Sequence, residues 1–301
     1  MPEPTPEQIL LRIDWHVIRR LDGLLQGDYR SLYYGFGLDF ADLREYQPGD
    51  DVRYIDWNVT ARLNAPYMRQ YLEDREVTAY FLLDLSPSVD FATAGAPKRE
   101  LLIDFVAIMA RLLTRHGNRV GALLYESNSS RMIPARGGRL QVLRLINEVR
   151  ARPKQKKSPP TDLAPLLRTA SLALHRRSLV FILSDFFSAP GWEAALGVLS
   201  RRHEVLAVRL WDPREVELPD VGPVFMEDAE TGEQLYVDTH DRGFRQRFQE
   251  AGLRREAALQ AAFRHAGVDV LAIATTDDLV QAILRFAMQR QYRVHGKGYV
   301  A

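Results

Sequence analysis

The sequence predicts an α/β protein: a doubly wound, mostly parallel sheet over residues 76–290, with a helix and small β subdomain over 1–75 before it and a tail over 291–301 after it. Three observations carry the prediction. Short apolar runs that stop abruptly at polar loops, such as Ala79-Tyr-Phe-Leu-Leu83 and Leu179-Val-Phe-Ile-Leu183, have the length and composition of strands covered on both faces. Between them lie stretches with apolar residues at three- and four-residue steps, the period of helices that dock one face. The two patterns alternate from about residue 78 to 290, the order that builds βα crossovers in a parallel sheet.

Taken in order, Ile9, Ile13, Val17, Leu21 and Leu24 predict a helix over residues 7–25 that docks on the body. From Gly27 to Asp74 the chain turns glycine-punctuated, aromatic and charged, as turns and short strands would be. Tyr46 and Trp57 are read there as packing residues, and Arg44, Asp50, Asp51, Arg53, Asp56 and Arg62 as a salt-bridge network that braces the subdomain. The first buried strand ends at Asp84. A helix over 98–116 follows, with Leu102, Phe105, Val106, Met109, Leu112 and Leu113 on one face and a stop at His116-Gly117-Asn118. Val120–Tyr125 reads as a strand, Arg131–Ala135 as an antiparallel edge strand and Leu140–Val149 as a helix. Ala151–Pro160, basic and proline-rich, reads as an exposed loop. A helix then begins after Thr161, and Leu179–Leu183 leads to Ser184-Asp185. The remainder reads as a helix over Trp192–Arg202, a strand over Val205–Leu210, a hairpin at Thr231-Gly232, a helix over Phe244–His265, a strand over Val268–Ile273 and a helix over Asp277–Gln289. The chain should fray from Tyr292.

With 46% hydrophobic residues in 301, the chain has ample core for one large or two modest domains. A formal charge of +1 gives no electrostatic reason to expect nucleic acid. The absence of cysteine excludes disulfides, thiolate metal sites and cysteine nucleophiles, and it fits a reducing, cytoplasmic location. Neither a signal peptide nor an eighteen-residue apolar span is present, so no membrane crossing is expected. The seven histidines are scattered without metal-binding spacing.

Three oxygen clusters stand at strand ends or helix entries: Asp84-x-Ser86-x-Ser88, Thr161-Asp162, and Asp185. Ligands of open parallel sheets bind at the carboxyl edge, and two carboxylates with three hydroxyls suit a hard cation, magnesium above all, with manganese or calcium as alternatives. Each cluster also has a plainer reading. Thr161 would cap a helix beginning at Asp162, Ser86 and Ser88 would be turn residues, and Asp185 would cap the helix after its strand.

Asp84-x-Ser86-x-Ser88, the later Thr161 and the still later Asp185 resemble the metal-ion-dependent adhesion site of von Willebrand factor A domains. The stretch Gly35-Phe-Gly-Leu-Asp-Phe-Ala-Asp-Leu-Arg-Glu-Tyr-Gln-Pro-Gly-Asp-Asp-Val-Arg-Tyr-Ile-Asp-Trp57, followed by Ala61-Arg62, resembles the signature of domain-of-unknown-function family 58, which carries such a domain. The likeness runs from about residue 8 to 290 through Arg136-Gly-Gly-Arg139, Ser184-Asp185 and Glu230-Thr-Gly-Glu233, although Pro159-Pro160 stand where glycines are common. The resemblance implies a von Willebrand factor A-like fold and a magnesium site at Asp84, Ser86, Ser88, Thr161 and Asp185. It also implies work beside a MoxR-type AAA+ ATPase in assembling or activating a client protein. On that reading the chain is a non-enzymatic adaptor whose metal grips an acidic side chain of its partner. The alternatives are a metal-dependent hydrolase or phosphotransferase using Asp84, or a structural domain with a vestigial site. Against an enzyme, Ser86 stands where a haloacid-dehalogenase-like phosphatase needs a second aspartate, and neither a phosphate loop nor a nucleophile elbow is present.

Overall fold

The computed structural model describes residues 5–13, 42–47, 55, 57–63, 65–70, 77–90, 97–126, 129–153 and 158–296. Helix α1 (Pro6–Arg12) opens with a capping box: the Thr5 hydroxyl accepts the Gln8 N–H at 3.3 Å, and the Gln8 side chain accepts the Thr5 N–H at 2.8 Å. Its continuation toward residue 25 lies outside the described residues.

The chain divides into two units, residues 34–76 and all the rest, so α1 groups with the larger one. In the smaller unit β1 (Asp42–Glu45) pairs antiparallel with β2 (Tyr67–Gln70), and between them runs α2 (Trp57–Leu63). The Tyr67 N–H donates to the Thr60 hydroxyl at 3.0 Å, tying α2 to β2. Turns and strands alone do not account for this segment, because Trp57–Leu63 is helical. Trp57, read above as a packing residue, is 69% exposed on the first helical turn. Of the bracing network, Asp50, Asp51, Arg53, Asp56 and the Arg44 side chain lie outside the described residues, and Arg62 is exposed.

The larger unit alternates β3 (Thr78–Asp84), α3 (Lys98–Arg115), β4 (Arg119–Glu126), β5 (Ser129–Arg136), α4 (Arg139–Arg150), α5 (Leu163–Ala173), β6 (Leu179–Ser184), α6 (Trp192–Arg202) and β7 (Glu204–Trp211). A hairpin of β8 (Pro223–Glu227) and β9 (Gln234–Asp238), then α7 (Arg242–Ala266), β10 (Asp269–Ala274) and α8 (Leu279–Gly296) complete it. Helix α8 passes both the predicted end at Gln289 and the predicted fraying point at Tyr292.

Strands β10-β7-β6-β3-β4-β5 form one sheet in that order, parallel except for the antiparallel edge pair β4 and β5. Leu82, Phe181 and Val208 accordingly lie on three neighbouring strands of a single doubly wound sheet. On one face Leu82, Ile182 and Ala207 meet Leu166, Leu196 and Phe263 of α5, α6 and α7. On the other, Phe81 stacks on Phe181 at 5.1 Å and Phe105 of α3 meets Phe181 edge-on at 5.8 Å. Each of these fully buried Leu, Ile and Phe side chains contributes roughly 1.5–3 kcal/mol of burial.

Two glycines are required by geometry. A Cβ at Gly121 would lie 2.7 Å from the Ile133 carbonyl oxygen and 2.9 Å from the Ala135 nitrogen, where β4 presses against the irregular register of β5. Gly267 ends α7 at φ +65°, with its N–H and that of Val268 turned back to the Arg264 and Phe263 carbonyls. No helix of the described residues is long and apolar enough to cross a membrane.

Candidate functional site

The parallel order brings the carboxyl ends of β3, β6, β7 and β10 to one edge. There the chain after β3 forms a short 3₁₀ turn, Pro87–Asp90, in which the Val89 N–H donates to the Ser86 carbonyl at 3.1 Å. Asp84 is wholly buried. Its Oδ1 accepts the Ser86 N–H at 3.0 Å, and its Oδ2 accepts the hydroxyl of Ser184, on neighbouring β6, at 2.6 Å. The Ser86 and Ser88 hydroxyls are hydrogen-bonded to each other at 3.0 Å. Burial, reinforced by the negative charge of Asp185, pushes the Asp84 carboxyl up to about 6 against the pull of its hydrogen bonds.

Asp185 follows directly on β6 and is also buried. Its Oδ1 accepts the Phe187 N–H at 3.0 Å, and its Oδ2 accepts the ammonium of Lys98 at 2.9 Å. This is a turn within the loop and not a cap on α6, which starts only at Trp192. Between them Phe186 has a φ of +60°, the one positive value for a non-glycine among the described residues, and packs against Trp192 and Phe263. Backbone strain of about 1–3 kcal/mol is therefore held at the site by an aromatic cluster.

Lys98 is the first residue of α3, only 1% exposed, and it also reaches the Ser88 carbonyl at 3.3 Å and the carboxylate of Glu215. Burial alone would push its pKa down, but Asp185 and Glu215 outweigh burial and raise it, so the ammonium stays charged. Its neighbour Arg99, also buried, donates to both oxygens of Asp90 at 3.2 Å and to the carbonyls of Val149 at 3.0 Å and Arg152 at 2.9 Å.

Thr161 precedes α5 by two residues. The cap of that helix is Asp162, whose side chain accepts the Ala164 N–H at 2.9 Å, so the capping role considered for Thr161 belongs one residue later. Thr161 is instead gripped by Glu230 of the β8–β9 turn: its hydroxyl donates to one carboxylate oxygen at 2.5 Å and its N–H to the other at 2.9 Å. The Ala189 N–H holds the Thr161 carbonyl at 2.8 Å.

Asp84, Ser86, Ser88 and Asp185 thus gather at the ends of two adjacent strands, while the Thr161 hydroxyl is engaged by Glu230. Among the described residues no group of three or more His, Cys, Asp or Glu side chains could hold a metal ion. A cation here would depend on hydroxyls as well as carboxylates. Sequence reasoning did not single out Lys98 or Glu215, and it quoted Ser184 and Glu230 only as part of the family likeness, with no role at the site. One signal for Lys98 was available, since two basic residues in the first turn of α3 oppose the helix dipole.

A cavity of about 520 Å³ opens beside the cluster, lined by Ser88, Lys98, Asp185, Phe187 and Glu215 on one side and by Met226, Glu227, Asp228, Ala229, Glu230, Glu233 and Leu235 of the hairpin on the other. The Phe187 ring forms a wall, with the Lys98 ammonium 5.4 Å and the Arg255 guanidinium 4.5 Å from its centroid.

The family model "Protein of unknown function DUF58" matches residues 42–258. An uncharacterised protein of Mycobacterium tuberculosis is 36% identical over 289 residues, covering 96% of this chain and 91% of that one. A second, from Mycobacterium avium, is 35% identical over 159 residues, which is 53% of this chain and 94% of that one. Among solved structures, the conserved hypothetical protein BatB of Bacteroides thetaiotaomicron superposes with a TM-score of 0.45 at 13% identity, over 71% of this chain and 98% of that one. The VWA domain of SpRpn10 superposes with a TM-score of 0.40 at 12% identity, over 70% and 94%.

Proposed function

The chain belongs to the DUF58 family of proteins of unknown function, and from that premise we propose that it is a non-enzymatic, magnesium-dependent adaptor of the cytoplasm. Its partners on this reading are a MoxR-type AAA+ ATPase and a client protein. The observation that carries the reading is the cluster of Asp84, Ser86, Ser88 and Asp185 at the carboxyl ends of β3 and β6.

The donor chemistry fits a hard cation. Every candidate ligand is oxygen, two are carboxylates, and the cluster already attracts one positive charge, the Lys98 ammonium on Asp185. Asp84 and Asp185 would hold the ion with the Ser86 and Ser88 hydroxyls, and Thr161 would join on release from Glu230. A bound magnesium supplies an electrophilic point for a partner's carboxylate. The chain's own work is positioning. Ser184 and the Ser86 N–H fix the Asp84 carboxylate in one orientation, and the Asp185 turn is pinned by the Phe187 N–H. The full burial of Asp84 counts against it as a nucleophile, because none of the residue is exposed to an incoming substrate. The ATPase partner rests on the family likeness.

Affinity capture of the MoxR-type ATPases of the same cell by the purified chain, with magnesium and with a chelator, tests the reading. Capture that requires magnesium and is lost in Asp84→Ala is the expected result. Capture indifferent to magnesium, or ATP turnover by the chain alone, would overturn it.

A further inference from the structure

We propose that Lys98 is a tethered counter-cation of this site: its ammonium holds the charge position on Asp185 that a divalent ion needs, and the ion binds only as the ammonium leaves for the acidic cavity next to it. The inference rests on the magnesium reading above and adds what sets the affinity.

Asp185 offers two carboxylate oxygens to the site. One accepts the Phe187 N–H and the other the Lys98 ammonium, so a divalent ion reaching that second oxygen would have to share it with the charge of the ammonium. Lys98 also reaches the Ser88 carbonyl, within the turn that carries the two hydroxyls. A divalent ion among the same oxygens would repel an ammonium left in place, in surroundings where burial weakens screening.

The position of the lysine has no helical explanation. As the first residue of α3 it stands at the positive end of the helix dipole, where a cation is disfavoured, and its side chain is turned inward to 1% exposure. The carboxylates of the site, not the helix, hold it there. It also has somewhere to go. Lys98 lines the cavity of about 520 Å³, whose far wall carries Glu227, Asp228, Glu230 and Glu233. Glu215 lines it too, so the ammonium can keep one partner while it gives up Asp185. The flexible four-carbon stem of a lysine suits such a move.

Two consequences follow. The affinity for divalent ions is lower than the same oxygens would give without the lysine. Sodium or potassium, which gain no charge over the ammonium, do not displace it.

Calorimetric titration of magnesium into the full wild-type chain and into Lys98→Met is the first arm of the test. The second is the acylation rate of Lys98 in the wild type, read by mass spectrometry of its peptide, with and without magnesium. We expect Lys98→Met to bind magnesium at least tenfold more tightly than the wild type, including the case where wild-type binding is too weak to detect. We expect Lys98 acylation to rise at least tenfold with magnesium and not with sodium. If the wild type binds magnesium but Lys98→Met binds no more tightly, or Lys98 acylation stays unchanged, the proposal fails and the metal reading stands. If neither protein binds magnesium, the metal reading fails and takes the proposal with it. Should Lys98→Met not fold, the acylation arm decides on its own.

Discussion

Two aspartates at the same edge of the sheet are held almost identically and differ in what surrounds them. Asp84, at the end of β3, accepts the N–H two residues on and the hydroxyl of Ser184 on neighbouring β6. Asp212, just after β7, accepts the Arg214 N–H at 2.9 Å and, at 2.9 Å, the hydroxyl of Thr275, which follows neighbouring β10. Both are wholly buried. A turn N–H plus a hydroxyl from the next strand is therefore a way of keeping a carboxylate inside, and by itself says nothing of a ligand. At Asp212 a Pro213–Glu215 turn follows at once and Glu215 closes a capping box, which makes a structural joint. At Asp84 the paired Ser86 and Ser88 hydroxyls and a second carboxylate, Asp185, lie close by. The joint also serves the site, because Glu215 from the Asp212 turn is one of the two carboxylates that hold Lys98.

The largest expected effect strikes the link between the two. Lys98→Met leaves the buried Asp185 and the part-buried Glu215 without their cation, and urea unfolding of the metal-free chain should show a loss of about 3–5 kcal/mol. A loss below about 1 kcal/mol would mean that the ammonium matters little to either region.

Asp84→Asn should go the other way. A carboxyl raised from its ordinary 3.8 to about 6 favours the fold while protonated, so its contribution is fully present below pH 3.8 and is lost as pH rises through about 6. The asparagine variant should match the wild type near pH 4 and exceed it at pH 8 by up to about 3 kcal/mol without metal. Magnesium at about a hundredfold its Kd should stabilise the wild type by about 2.7 kcal/mol and Asp84→Asn not at all. Melting curves across pH, with and without magnesium, read both effects.

Asp212→Ala removes a cap and strands the Thr275 hydroxyl, which should cost about 1–2 kcal/mol at every magnesium concentration. A large change in magnesium affinity from this substitution would erase the contrast between the two aspartates. Ser86→Ala and Ser88→Ala should each lower magnesium affinity by less than about tenfold, since water can replace a neutral ligand, and calorimetry resolves that.

The sheet was legible because strands buried on both faces must be continuously apolar, and β3 and β6 are written that way. The plainer reading of Thr161 as the cap of α5 falls one residue early because Thr161 and Asp162 are both good caps, and Glu230, 69 residues away, claims Thr161. Lys98 was passed over because periodicity begins to speak at the first apolar contact of α3, whereas its own partner lies 87 residues downstream. Asp212-Pro213 went unread, although a proline fits the first position of a capped turn. The helix in the smaller unit escaped because its seven residues carry too little periodic signal between aromatic and charged neighbours.

Arg99 bolts the first turn of α3 to Asp90, at the end of the Asp84 loop, and to the last carbonyls of α4 and the residues beyond. Those bonds oppose a slide of the helix in the exchange of cations proposed above for Asp185. The motion would then fall to the torsions of one side chain, with no shift of helix register. Ion occupancy would then reach the outside as a changed electrostatic face on the hairpin, with the backbone of α3 standing still.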